Sequence, residues 1–135
     1  MTKKSTLNVL IADDSDTLRG RLISLLSENP DIAIIGEARD GLGAAMLVEK
    51  LKPDVAILDI RMPRESGIDA LKKIKRLHPK PILIILTNYP YHQYKEKCKE
   101  AGADYFFDKS TEFENVSELL KQLIQKSEKS DSLCV

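Results

Sequence analysis

The sequence predicts an α/β protein, an open doubly wound sheet of five parallel strands with helices on both faces. Short apolar runs recur five times, at residues 7–12, 32–38, 55–59, 82–86 and 105–107. Each is followed by a stretch with helical apolar spacing, and strands alternating with helices imply parallel pairing through right-handed crossovers. The runs are almost continuously apolar, as strands buried on both faces require. A closed eight-stranded barrel needs a chain longer than 135 residues.

Leu7 to Ala12 close at Asp13-Asp14-Ser15, where Asp14 or Ser15 caps a helix with Leu18, Leu22, Leu25 and Leu26 as its apolar face. Asn29-Pro30-Asp31 breaks that helix. The second strand, 32–38, turns at Asp40-Gly41 into a helix over about 42–51, which Pro53 ends. Val55-Ala56-Ile57-Leu58 then runs straight into Asp59, and Met62-Pro63 stops the run. Ser66 or Gly67 starts a third helix with Ile68, Leu71, Ile74 and Leu77 facing inward. Pro79 and Pro81 mark the turn into the fourth strand, which ends at Thr87-Asn88. Beyond Pro90, the residues Tyr91, Tyr94, Cys98 and Ala101 form a helical stripe closed by Gly102, a left-handed cap. The fifth strand ends in Asp108-Lys109-Ser110, and the last helix carries Val116, Leu119, Leu120, Leu123 and Ile124. One domain is expected at 1–126, followed by a short, polar, flexible tail at 127–135.

Composition narrows the class. A hydrophobic share of 42% with 31% charged residues describes a soluble globular chain. Lys+Arg and Asp+Glu balance at 21 each, so no global charge points to nucleic acid or an anionic membrane. Lys72, Lys73, Lys75 and Arg76 read as a solvated face of the third helix. The first apolar run is too short for a signal peptide and no segment approaches a membrane span. Cys98 and Cys134 are far apart with no Cys-x-x-Cys, which argues against a disulfide frame or a zinc site. A cytoplasmic protein is expected.

In a parallel sheet all carboxyl ends share one edge, where open α/β folds place their ligand crevices. The residues delivered there are Asp13 and Asp14, Asp59, Thr87 and Lys109. Taken singly, each has an ordinary explanation as a helix cap, a turn residue or a surface charge. Taken together, three carboxylates in one crevice repel each other unless a hard divalent cation neutralises them. Mg²⁺ suits a few carboxylates plus waters and a phosphate oxygen. Lys109 adds a fixed cation and Thr87 a hydroxyl donor, both suited to phosphoryl oxygens. Asp59 is then a carboxylate nucleophile that attacks phosphorus to give an acyl phosphate.

On Asp13-Asp14, Leu58-Asp59-Ile60-Arg61-Met62-Pro63 with Gly67, Leu86-Thr87 and Lys109, the chain resembles the receiver domains of two-component response regulators. The resemblance covers about residues 7–125, and residues 29–63 are also similar to receivers attached to helix-turn-helix regulators. It implies a flavodoxin-like fold with strand order 2-1-3-4-5. It implies that Asp59 accepts phosphate from a sensor histidine kinase or a histidine phosphotransfer protein. Asp14, Asp59 and the backbone carbonyl of Arg61 would bind Mg²⁺ directly, and Asp13 partly through water; Mn²⁺ could substitute. Thr87 and Lys109 would hold the phosphoryl group. Phe106, at the position of the family's switch aromatic, would turn inward and reshape the face of the fourth helix, fifth strand and fifth helix for a downstream protein.

Three positions depart from the family. Ser110 replaces a frequent proline, so the cis peptide common there is not expected. Asn88 is bulkier than the usual small residue and would slow access to the phosphoryl group. Phe106 lacks the hydroxyl of the common tyrosine. The few residues after the last helix suggest a stand-alone receiver without an output domain, acting through protein contacts, with no direct nucleic-acid or membrane binding. It would be a monomer or a weak phosphorylation-dependent dimer. The alternatives are a relay intermediate passing phosphate onward and a degenerate receiver serving only as an interaction module. An aspartyl-phosphate phosphohydrolase would need a second Asp where Arg61 stands. A dinucleotide fold would need glycines where Asp13-Asp14-Ser15 stand.

Overall fold

The computed structural model describes residues 6–88 and 92–133. Strands and helices alternate as β1 (Leu7–Ala12), α1 (Asp16–Leu26), β2 (Ile32–Ala38), α2 (Gly41–Leu51), β3 (Val55–Leu58), α3 (Gly67–Ile74), β4 (Ile82–Thr87), α4 (His92–Ala101), β5 (Tyr105–Asp108) and α5 (Phe113–Leu133). The five strands form one parallel sheet in the order β2-β1-β3-β4-β5. Both the doubly wound architecture and the expected strand order are therefore present. No helix among the described residues is long and apolar enough to cross a membrane.

The apolar runs bury on both sides, so there are two cores. Leu10, Ala12, Ala56, Leu58, Leu83 and Ile85 face a layer containing Ala44, Val48, Leu71, Ile74 and Cys98. Alternate residues Val9, Ile11, Val55, Ile57, Ile84 and Leu86 face Leu22, Leu26, Val116, Leu120 and Ile124. β3, at the centre of the sheet, is buried at every position. Truncating a fully buried leucine such as Leu58 to alanine removes about 2–5 kcal/mol in sites of this kind.

Three helices start with a side-chain cap at the carboxyl edge. Ser15, Asp40 and Ser66 accept hydrogen bonds from the amides of Leu18, Gly43 and Asp69, satisfying donors that a helix leaves unpaired. At the opposite end of α4, Gly102 has φ +117. Its amide donates to the Lys99 carbonyl at 3.1 Å, and the Ala103 amide donates to the Cys98 carbonyl at 2.9 Å. This is the paired bonding of a Schellman motif, so the expected glycine cap is in place.

Some details differ from the sequence reading. On α1, Leu22 and Leu26 are buried and Ile23 packs against the same core, whereas Leu18 and Leu25 stay partly exposed. α5 continues to Leu133, so residues 127–133, placed in a polar tail from the sequence, are helical. Tyr91 of the α4 stripe and Cys134 lie outside the described residues. The cis peptide among the described residues is His78–Pro79; Lys109–Ser110 is not one.

Candidate functional site

The site is assembled by strand register. Ala12 of β1 pairs with Leu58 of β3, so the residues that follow, Asp13 and Asp59, emerge side by side. The Asp59 amide donates to the Ala12 carbonyl at 3.1 Å, and the Asp13 amide to the Ala38 carbonyl of β2 at 3.0 Å. On the other flank Thr87 of β4 pairs with Asp108 of β5, and the Lys109 amide donates to the Thr87 carbonyl at 2.8 Å. Backbone bonds thus fix the places where Asp13, Asp59, Thr87 and Lys109 leave the sheet, and all four are buried.

Behind Asp59 the chain doubles back against itself. The Gly67 amide donates to the Ile60 carbonyl at 2.8 Å. A Cβ on Gly67 would lie 2.1 Å from the Asp59 carbonyl oxygen, so only glycine lets α3 start this close to the β3 end.

Asp13, Asp14 and Asp59 each offer a carboxylate oxygen, and these oxygens all lie within 4.8 Å of one another. Lys109 Nζ sits 2.6 Å from Asp13 Oδ2 and 3.0 Å from Asp59 Oδ2. Burial opposes the Lys109 charge, but the hydrogen bond to Asp13 and the charge of Asp59 more than offset it and raise its pKa above the ordinary lysine value. Asp13 Oδ1 accepts from the Ser15 amide at 2.9 Å. Asp59 Oδ1 differs, being buried without a hydrogen-bond partner among the described residues. Such an atom is costly to leave unpaired. Among the described residues, the three carboxylates share one ammonium, a deficit of positive charge. That deficit, together with the unpaired oxygen, fits a divalent, oxygen-seeking cation.

Of the residues singled out from sequence, Asp13, Asp14, Asp59 and Lys109 meet, and Thr87 is buried beside them. Arg61 lines an open pocket of about 840 Å³ at their margin, with Asp14, Met62, Pro63, Ser66 and Tyr94. Asn88 is exposed just beyond β4. Phe106 pairs with Ile85 in the sheet and packs half-buried against the first core cluster. Sequence reasoning missed Arg19, whose Nη1 donates to the Asp13 carbonyl at 2.6 Å. Its only sequence signal is a basic residue four positions after the helix cap, where a side chain reaches back over the first turn.

The family model described as response regulator receiver domain matches residues 9–124. The chain belongs to that family. The receiver is similar to the protein-glutamate methylesterase/protein-glutamine glutaminase of Pyrococcus abyssi, 37% identical over 123 residues covering 89% of this chain and 33% of that protein. It thus spans about a third of that curated relative. Among solved structures it is similar to the response regulator domain of Thermotoga maritima CheB, with 32% identity and a TM-score of 0.78, covering 90% of this chain and 95% of that one. It is also similar to the CheX-CheY-BeF3-Mg complex of Borrelia burgdorferi, with 27% identity and a TM-score of 0.79, covering 87% and 88%. Receivers are signalling modules that bind Mg²⁺ at an acidic pocket, and in this one Asp13, Asp14 and Asp59 form an acidic cluster.

Proposed function

We propose that this receiver takes a phosphoryl group onto Asp59 in a Mg²⁺-dependent reaction and signals through altered protein contacts in the cytoplasm. The observation that carries the reading is Asp59 Oδ1, a buried carboxylate oxygen without a partner, in a residue whose other oxygen is held by Lys109. A lone pair of Asp59 attacks phosphorus as the phosphorus–nitrogen bond of a kinase or phosphotransfer phosphohistidine breaks. The bonding pair leaves with the imidazole, and an acyl phosphate remains on Asp59. Bound Mg²⁺ would neutralise charge on the phosphoryl oxygens.

Asp14, Asp59 and the backbone carbonyl of Arg61 would hold that ion. Both Asp13 oxygens already accept hydrogen bonds, from the Ser15 amide and from Lys109, which supports a contribution from Asp13 through water. Lys109 moves its ion pair onto the incoming phosphoryl oxygens, and the Thr87 hydroxyl donates to another. The shift of Thr87 opens room for Phe106 to turn inward, remodelling the α4–β5–α5 face for a partner. Asn88, exposed at the site margin, slows access to the phosphoryl group. The BeF3 and Mg²⁺ of the Borrelia burgdorferi complex support the same chemistry here. The methylesterase named in the curated relative is not carried over, because the match covers about a third of that protein.

The test is intact-protein mass after incubation with acetyl phosphate, with and without Mg²⁺. The expected result is a Mg²⁺-dependent gain of one phosphoryl group that Asp59→Asn abolishes. A gain that persists in Asp59→Asn would overturn the assignment of the phosphoacceptor.

A further inference from the structure

We propose that Arg19 is a positioning residue of the acidic pocket, clamping the Asp13-Asp14 loop into the shape a divalent cation requires. The inference rests on the metal-binding reading above.

Arg19 lies on α1, and its side-chain exposure is 11%. Its guanidinium spans three parts of the chain. Nη1 donates to the Asp13 carbonyl at 2.6 Å, Nε to Glu37 Oε1 on β2 at 2.8 Å, and Nη2 to Asp16 Oδ1 at 2.5 Å. A planar fork with fixed donor directions can hold three acceptors at once; the ammonium of a lysine is a point charge and cannot reproduce that geometry.

The consequence falls on Asp14. Its carboxylate is exposed and, among the described residues, makes no ion pair or hydrogen bond. Where it points is therefore set by its neighbours in the chain. On one side Ser15 is fixed as the cap of α1. On the other, Asp13 is held by its amide to Ala38, by both carboxylate oxygens, and by the Arg19 bond to its carbonyl. The peptide joining Asp13 to Asp14 begins at that carbonyl, so the Arg19 bond governs its orientation. Asp16 and Glu37 already balance the Arg19 charge, which makes the role geometric and not a matter of field.

Mg²⁺ binding by calorimetry, together with metal-free melting temperature, distinguishes this role from plain stabilisation. Wild type, Arg19→Lys, Arg19→Gln and Glu37→Gln are compared at a temperature where each is folded. Removing outer partners of metal ligands weakens affinity by about 10–100-fold. Both Arg19 variants are expected to bind Mg²⁺ at least ~10-fold more weakly, and Glu37→Gln more weakly than wild type by a smaller factor. Wild-type affinity in Arg19→Lys, or in both Arg19 variants despite a lowered melting temperature, would overturn the inference and leave the pocket reading intact. If the Arg19 variants do not fold, unchanged affinity in folded Glu37→Gln overturns it. A wild type that binds no Mg²⁺ overturns the pocket reading itself, and the inference with it.

Discussion

At the scale of single residues, two buried titratable groups show how partners decide charge. Lys109 and Cys98 are both buried, and burial opposes the charged form of each. Lys109 faces two carboxylates and its pKa rises, so the stability it lends is present below the ordinary lysine value. That contribution is lost only as pH climbs through the raised one. Cys98 has no compensating partner among the described residues, and burial pushes its thiol up to about 11 from 9.0. The unfolded chain then ionises first, and stability falls as pH rises between those two values. Cys98 should therefore be inert to a thiol reagent at pH 8 in a folded Cys134→Ser variant and react stoichiometrically once unfolded. Rapid labelling of the native protein would show that the α4 layer opens far more readily than its packing allows.

At the scale of elements, the same substitution at two glycines separates function from stability. A methyl on Gly67 would collide with the Asp59 carbonyl oxygen at 2.1 Å and with its carbon at 2.9 Å, so α3 or the β3 end must move. Gly67→Ala should destabilise by roughly 2–3 kcal/mol, as overpacking does, and should also slow phosphorylation because Asp59 moves with it. Gly102→Ala meets no backbone, only Lys75 Cβ at 3.0 Å and Cδ at 3.2 Å, but must adopt φ +117. It should cost roughly 1–3 kcal/mol and leave the phosphorylation rate alone. Denaturant melts and phosphorylation time courses on both variants check this; equal rates in Gly67→Ala and wild type would mean that the β3–α3 contact does not position Asp59.

At the scale of the whole molecule, the sheet holds mutually repelling carboxylates in place with rigid backbone. Asp13 and Asp59 are held side by side because β1 and β3 pair in register, and metal-free folding bears that repulsion. Mg²⁺ at about 100 times its Kd should therefore stabilise the fold by roughly 2.7 kcal/mol, a rise of about 5–10 °C in melting temperature for a domain of this size. Asp14→Asn should lose most of that rise; an equal rise would locate the cation elsewhere.

Much of this was legible in the sequence because the signals were local. A strand buried on both faces must be apolar throughout, so β1, β3 and β4 announced themselves and their polar end residues stood out as Asp13, Asp59 and Thr87. The Ser66 cap and the Gly102 turn need only neighbouring residues, and both were readable. The far end of α5 was not. Residues 127–132 carry no apolar period, yet the turns before them are packed on the core and helix propagates cheaply once nucleated. The α1 face is only partly legible, because which of Leu18, Ile23 and Leu25 packs inward depends on how the helix is rotated against its neighbours. Arg19 was invisible for a deeper reason, since its acceptors come from the β1–α1 loop, from α1 itself and from β2. By itself, then, the sequence determined the elements, their order and the chemical kinds gathered at one edge, because periodicity and capping act over a few residues. Only the tertiary structure decided which of those groups touch and which carboxylate oxygen is left unpaired, because strand register and helix rotation are settled by contacts between residues far apart in the chain.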